Sequence, residues 1–147
     1  MEKNVVSVHE SVSIKDAAKI FVKKHIGLLP VVDDEKKPIG IVSIGDLLAL
    51  ELPGFVSFLS DVDFVHDFGA VENTRPPLKV LNKSVKTIMK PAFTIETDCG
   101  LLLAYALMLQ HNLQYLPVVS KTKKLVGIVS RVDVGAKILS TWQKAKK

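Results

Sequence analysis

The chain is 147 residues long, 48% hydrophobic and 24% charged, with 20 Lys and Arg against 15 Asp and Glu. That balance belongs to one folded unit and excludes a disordered tail, and the length excludes two large independent domains. A net charge of +5 and a pI near 9.3 favour anionic company: a nucleotide phosphate, a nucleic acid or an acidic protein.

The opening "MEKNVVSVHE" has no apolar run behind a basic start, so it does not read as a signal peptide. The single cysteine, Cys99, has no internal disulfide partner, which fits a reducing, cytoplasmic setting and an inert thiol. "VVSV" reads as a short strand. Residues 13–24 then place Ile14, Ala17, Ala18, Phe21 and Val22 at helical spacing with lysines between them, which predicts an amphipathic helix. "LLPVV" and "IGIVS" are β-rich runs joined by the polar "DDEKKP", the pattern of a hairpin. Residues 46–50 start a helix that Pro53 and Gly54 stop. The order is β-α-β-β-α.

Residues 51–85 are longer than a simple linker, and Phe55, Phe58, Phe64 and Phe68 fall within them. Four phenylalanines that close predict a short helical hairpin, or a helix and loop, packed on the rest of the chain. Asp61, Asp63, His66 and Asp67 in "DVDFVHD" match no metal-ligand spacing and read as a solvated acidic face, so no metal site is expected. His9, His25 and His111 have no fixed Cys or carboxylate pattern around them and read as structural or surface residues.

After this insert the first pattern returns. A shift of 87 positions lays residues 5–47 over residues 92–134 without a gap, with "LLPVVDDEKKPIGIVSIGD" over "YLPVVSKTKKLVGIVSRVD". Internal duplication of this kind implies two copies of one supersecondary unit about a pseudo-twofold axis. "FTI" takes the place of the first strand. Residues 99–120 lack Asp, Glu, Lys and Arg but include Gln110, His111, Asn112, Gln114 and Pro117. Their fully apolar part, Leu101 to Leu109, is half the roughly 20 residues a spanning helix needs, so a buried helix is expected and no membrane span. Lys15, Asp16 and Lys19 of the first helix are matched here by Leu102, Leu103 and Ala106. A helix apolar on every side is buried on every side, which predicts a homodimer interface.

The repeated "LPVV…GIVSxxD" string, in its β-α-β-β-α setting, resembles the CBS domain, the module named after cystathionine β-synthase, and two in tandem resemble a Bateman module. The resemblance implies a mixed α/β fold of two repeats packed with pseudo-twofold symmetry: residues 1–50, then the insert at 51–85, then residues 86–147 with a C-terminal helix. It also implies two clefts along the axis that bind AMP, ADP, ATP or S-adenosylmethionine as a regulatory ligand, with no catalytic cofactor.

"SxxD" by itself is a capping box, the cap that a strand running into a helix requires. A carboxylate at that place can also accept both vicinal hydroxyls of a ribose. The resemblance carries this second role onto Ser43 and Asp46, and onto Ser130 and Asp133. The resemblance implies that each cleft is shared between repeats. The resemblance places Met89, Phe93, Leu113, Gln114 and Tyr115 beside Ser43 and Asp46. It places Val6, Ile26, Gly27 and Leu28 beside Ser130 and Asp133, with Arg131 able to reach phosphates.

No nucleophile with a base, acid pair or metal set stands out, so no enzyme is expected. The leading function is a non-catalytic regulatory module that senses an adenine nucleotide and signals to a partner protein. One alternative is a protein-protein interaction module with vestigial clefts, working through the Phe-rich insert. Another is nucleic-acid binding through Lys121, Lys123, Lys124 and the terminal lysines, but these are not interleaved with aromatics.

Overall fold

A computed structural model describes residues 5–50 and 75–144. The Phe-rich run and its acidic "DVDFVHD" lie outside the described residues, and with them the expectation that this stretch packs as a hairpin.

The first repeat contains β1 (Val8–His9), α1 (Ile14–Lys24), β2 (Leu28–Val32), β3 (Pro38–Ser43) and α2 (Ile44–Leu48). A short helix, α3 (Leu78–Leu81), and a 3-10 turn at Val85–Thr87 lead to the second repeat. That repeat contains β4 (Ile95–Glu96), α4 (Leu101–Gln110), β5 (Tyr115–Val119), β6 (Leu125–Ser130) and α5 (Arg131–Lys144). Among the described residues two three-stranded sheets result, ordered β1-β2-β3 and β4-β5-β6, each with a parallel first pair and an antiparallel second pair.

The 87-residue offset holds down to single backbone pairs. Leu28 pairs with Ser43 as Tyr115 does with Ser130, and both hairpins shift register at their fourth pair, between Val31 and Val32 and between Val118 and Val119. Among the described residues the four non-glycine residues with positive φ are His25 and Asn112, Lys36 and Lys123, again 87 apart. His25 ends α1 in the left-handed conformation, where glycine is the usual choice. Lys36 turns the first hairpin, and Asp33 Oδ1 accepts the N–H groups of Glu35 and Lys37 at 2.8 and 3.0 Å. The Lys37 N–H leads the groups that hold the Asp33 carboxyl below its ordinary range. Ser120 takes the place of Asp33 in the second hairpin, its hydroxyl accepting the Lys124 N–H at 3.3 Å.

Each repeat has its own core. Ala17, Phe21, Leu29, Val31 and Val42 form the first, and Ala104, Met108, Leu116 and Val134 the second. The repeats are tied together by the segment that precedes the second one. Val85 is fully buried in the first core, and its N–H donates to Val12 O at 2.8 Å. Ser84 Oγ donates to Glu10 O at 2.6 Å, and Ile41 and Lys90 exchange both backbone hydrogen bonds at 2.9 Å. At the hairpin tips Leu125 N–H donates to Lys36 O at 3.0 Å.

The elements follow the expected order with two shifts. The first strand of each repeat is shorter and lies further along the chain than "VVSV" and "FTI" suggest. The second helix begins at Ile44, directly after its Ser43 cap, rather than at Asp46. Among the described residues no helix is long and apolar enough to cross a membrane.

Candidate functional site

Both repeated motifs end a strand and cap a helix, as the sequence pattern requires. Ser43 Oγ accepts Asp46 N–H at 3.1 Å while Asp46 Oδ2 accepts Ser43 N–H at 2.9 Å. Ser130 and Asp133 repeat the exchange at 2.9 and 3.2 Å. Capping uses one oxygen of each carboxylate, and a carboxylate offers about four acceptor positions. A ligand role is therefore compatible with the cap.

The two helix starts are also pinned across to the preceding helix–strand turn. Ile44 N–H donates to Gly27 O at 3.2 Å, and Arg131 N–H to Gln114 O at 2.8 Å. These bonds bring each motif to the beginning of β2 or β5 in its own repeat. The pseudo-twofold packing then faces the beginning of β2 with that of β5.

A cavity of about 260 Å³ lies at this junction. The first repeat contributes His25, Ile26, Gly27 and Leu28, and the second Tyr115, Ile128, Ser130 and Asp133. Leu28 and Tyr115 occupy equivalent positions 87 residues apart, so their meeting marks the axis. A Cβ placed on Gly27 would lie 3.9 Å from the Tyr115 hydroxyl. The cavity has apolar walls, two hydroxyls, an imidazole and one carboxylate.

Of the residues expected here, Ile26, Gly27, Leu28, Ser130 and Asp133 come together, while Val6 packs against the first core. Arg131 is directed elsewhere: Nε and Nη2 donate to Leu113 O at 3.2 and 2.9 Å, and Nη2 also reaches Met108 O at 3.4 Å. A phosphate would have to compete with those carbonyls for it. Tyr115, expected with Ser43 and Asp46, lines the Ser130–Asp133 cavity. His25 and Ile128 were not expected in it. Ile128 was within reach of the sequence, because residues two apart on a strand share a face and Ser130 was already assigned. His25 was not, because its place follows from the left-handed end of α1.

The surroundings of Ser43 and Asp46 differ. Asp46 is only 11% exposed, and its Oδ1 lies 3.2 Å from Lys90 Nζ. Met89 packs on the strand: a Cβ on Gly40 would sit 2.5 Å from Met89 Sδ. Leu113 packs against the second core. Phe93 is exposed and stacks on His111 with ring centroids 4.1 Å apart. Gln114 is exposed at the start of the second hairpin.

A Ser–His–Asp arrangement does occur, at the opposite end of the first sheet. His9 Nε2 is 2.6 Å from Asp34 Oδ1, and His9 Nδ1 is 2.8 Å from Ser11 Oγ. Ser11 N–H also donates to Nδ1, at 3.2 Å, and Asp34 is 93% exposed. Its geometry fastens β1 to the hairpin turn. A larger apolar groove of about 720 Å³ runs between α1, α2 and residues 75–81, with Phe21, Val22, Leu47 and Leu48 in its walls.

Comparison with known proteins matches residues 1–52 and 85–139 to the CBS domain family. The chain is 33% identical over 138 residues to the CBS domain-containing protein CBSX2, chloroplastic, of Arabidopsis thaliana, covering 90% of this chain and 58% of that protein. It is 30% identical over 135 residues to the uncharacterized protein MJ1404 of Methanocaldococcus jannaschii, covering 91% of this chain and 30% of that one. The chain thus spans from under a third to just over half of these relatives. Among solved structures, CBSX2 in complex with AMP superposes with a TM-score of 0.69 at 30% identity, covering 95% of this chain and 90% of that one. The CBS domain pair of protein MJ0100 in complex with 5′-methylthioadenosine and S-adenosyl-L-methionine gives 0.66 at 26% identity, covering 93% of each.

Proposed function

Because this chain belongs to the CBS domain family, we propose that it is a non-catalytic regulatory module that binds an adenosine derivative between its repeats and passes the change to a partner protein. The observation that carries this reading is the cavity in which Ser130 and Asp133 of one repeat face Ile26, Gly27 and Leu28 of the other. Its volume of about 260 Å³ lies near the lower end of small-molecule sites, roughly 300 Å³. A nucleoside would fill it and leave a 5′ substituent pointing outward. Asp133 would accept the ribose hydroxyls, the apolar walls would hold the base, and the backbone of residues 26–28 would read its edge. Solved relatives bound to AMP and to S-adenosylmethionine support this ligand class.

Titration calorimetry on ligand-free protein tests the reading. AMP, ADP, ATP or S-adenosylmethionine should bind with micromolar to sub-millimolar Kd, about −5 to −8 kcal/mol. Absence of heat with all four would leave both aspartates as helix caps alone.

The signalling half of the proposal calls for a second copy. On the two helices of the second repeat Leu102, Val132 and Trp142 are 73%, 77% and 69% exposed, with Leu103, Leu109 and Leu139 also open. Apolar surface on this scale marks an association site. We assign it to a homodimer through α4 and α5, in which a ligand-driven shift of one repeat against the other would move the partner chain. Light scattering at micromolar concentration should return twice the 16.1 kDa chain mass; a monomer mass would exclude this arrangement.

A further inference from the structure

Two equivalent motifs do not make two equivalent sites. At Ser130–Asp133 the facing position in the other repeat is Gly27, and among the described residues the nearest atom to a Cβ there is the Tyr115 hydroxyl at 3.9 Å. The equivalent position facing Ser43–Asp46, 87 residues on, is Gln114. Asp133 is exposed, with one oxygen on Ser130 N–H and no partner for the other among the described residues. Asp46 is 11% exposed, with one oxygen on Ser43 N–H and the other 3.2 Å from Lys90 Nζ. The Lys90 backbone is hydrogen-bonded in both directions to Ile41, which places Met89 against Gly40. A ribose entering there would have to displace a lysine from its carboxylate; at Asp133 it would displace water.

We infer that the chain takes one adenosine ligand, in the Ser130–Asp133 cleft, and that Gly27 keeps this cleft open while Met89 and Lys90 occupy the equivalent ground beside Ser43 and Asp46. The inference rests on the adenosine-binding reading above and adds which cleft works and which residue sets it. Gly27 acts by its size: a methyl group at that position meets only ordinary van der Waals contact with the Tyr115 hydroxyl, whereas a longer side chain starts from the cavity wall and takes up room beside that hydroxyl.

Calorimetric titration of the full chain with AMP and with S-adenosylmethionine tests this. The wild type should take one equivalent per chain. Gly27→Ala should bind within about threefold of wild type and Gly27→Gln at least about tenfold more weakly, because its side chain competes with the ligand for the open cleft. Lys90→Met should keep the wild-type affinity of the occupied site. Equal thermal midpoints for the glycine variants would separate blocked binding from misfolding. If Gly27→Gln does not fold, the wild-type stoichiometry and Gly27→Ala still decide. Two equivalents of similar affinity in the wild type, or wild-type affinity in folded Gly27→Gln, would overturn the inference while leaving adenosine binding intact. No binding of either ligand to any form would instead remove the adenosine reading itself.

Discussion

Replacing Asp133 by asparagine should weaken adenosine-ligand binding by about tenfold to a hundredfold, the loss of one charge-assisted hydrogen bond worth roughly 1.5–3 kcal/mol. The fold should survive the change. Asp133 Oδ2 accepts Ser130 N–H at 3.2 Å, and an asparagine carbonyl can accept the same bond. The amide that replaces the second oxygen donates instead of accepting, so a vicinal diol loses its charged anchor while the helix keeps its cap. Stability should therefore fall by less than the roughly 1 kcal/mol typical of a lost N-cap. If Asp133 serves only as a cap, the same small change in stability remains and affinity is unchanged. The same substitution at Asp46 is expected to do little to binding, because its carboxylate already faces Lys90 Nζ at 3.2 Å. Calorimetry and chemical denaturation on the two variants separate these outcomes.

Most of the fold was legible in the sequence because the duplication is ungapped. Once "LPVV" and "GIVS" are read as a hairpin, the second copy must repeat its register, and it does, bulge for bulge. The capping boxes were equally legible, since Ser followed by an acidic residue three positions on has one local geometry. What the pattern concealed depends on three-dimensional packing. The left-handed residues His25, Lys36, Asn112 and Lys123 carry no glycine to announce them. Arg131 looks like a phosphate ligand by position, yet Leu113 O in the turn after α4 lies within its reach, and its guanidinium donates there and, at 3.4 Å, to Met108 O, which also accepts Leu113 N–H. Tyr115 stands at the pseudo-twofold axis, where assigning a residue to one cleft or the other needs the side-chain direction. The inequality of the clefts was hidden for the same reason: Asp46 and Asp133 have identical neighbours in sequence pattern and different ones in space.

Replacing Gly40 by alanine should destabilise the protein by about 1–3 kcal/mol, the range for forcing extra atoms into a packed interior. A Cβ at this position would lie 2.5 Å from Met89 Sδ, 2.8 Å from Met89 Cγ and 3.0 Å from Lys90 O. The thioether can swing aside, but the Lys90 carbonyl accepts Ile41 N–H at 2.9 Å and cannot retreat without breaking that bond. The strain falls on the segment from Ser84 to Lys90, whose Val85 is fully buried in the first core and which joins the two repeats. The glycine of the first "GIVS" is thus required by a close approach of the chain to itself, with no unusual backbone angle involved, as no glycine among the described residues has positive φ. Urea denaturation should show a lower midpoint with an unchanged slope, since the folded state keeps its buried surface. Gly40→Val, with two further methyl groups aimed at the same backbone, should cost more. A Gly40→Ala midpoint equal to that of the wild type would mean that the 84–90 segment yields freely, and the grip of Met89 and Lys90 on the Ser43–Asp46 cleft would yield with it.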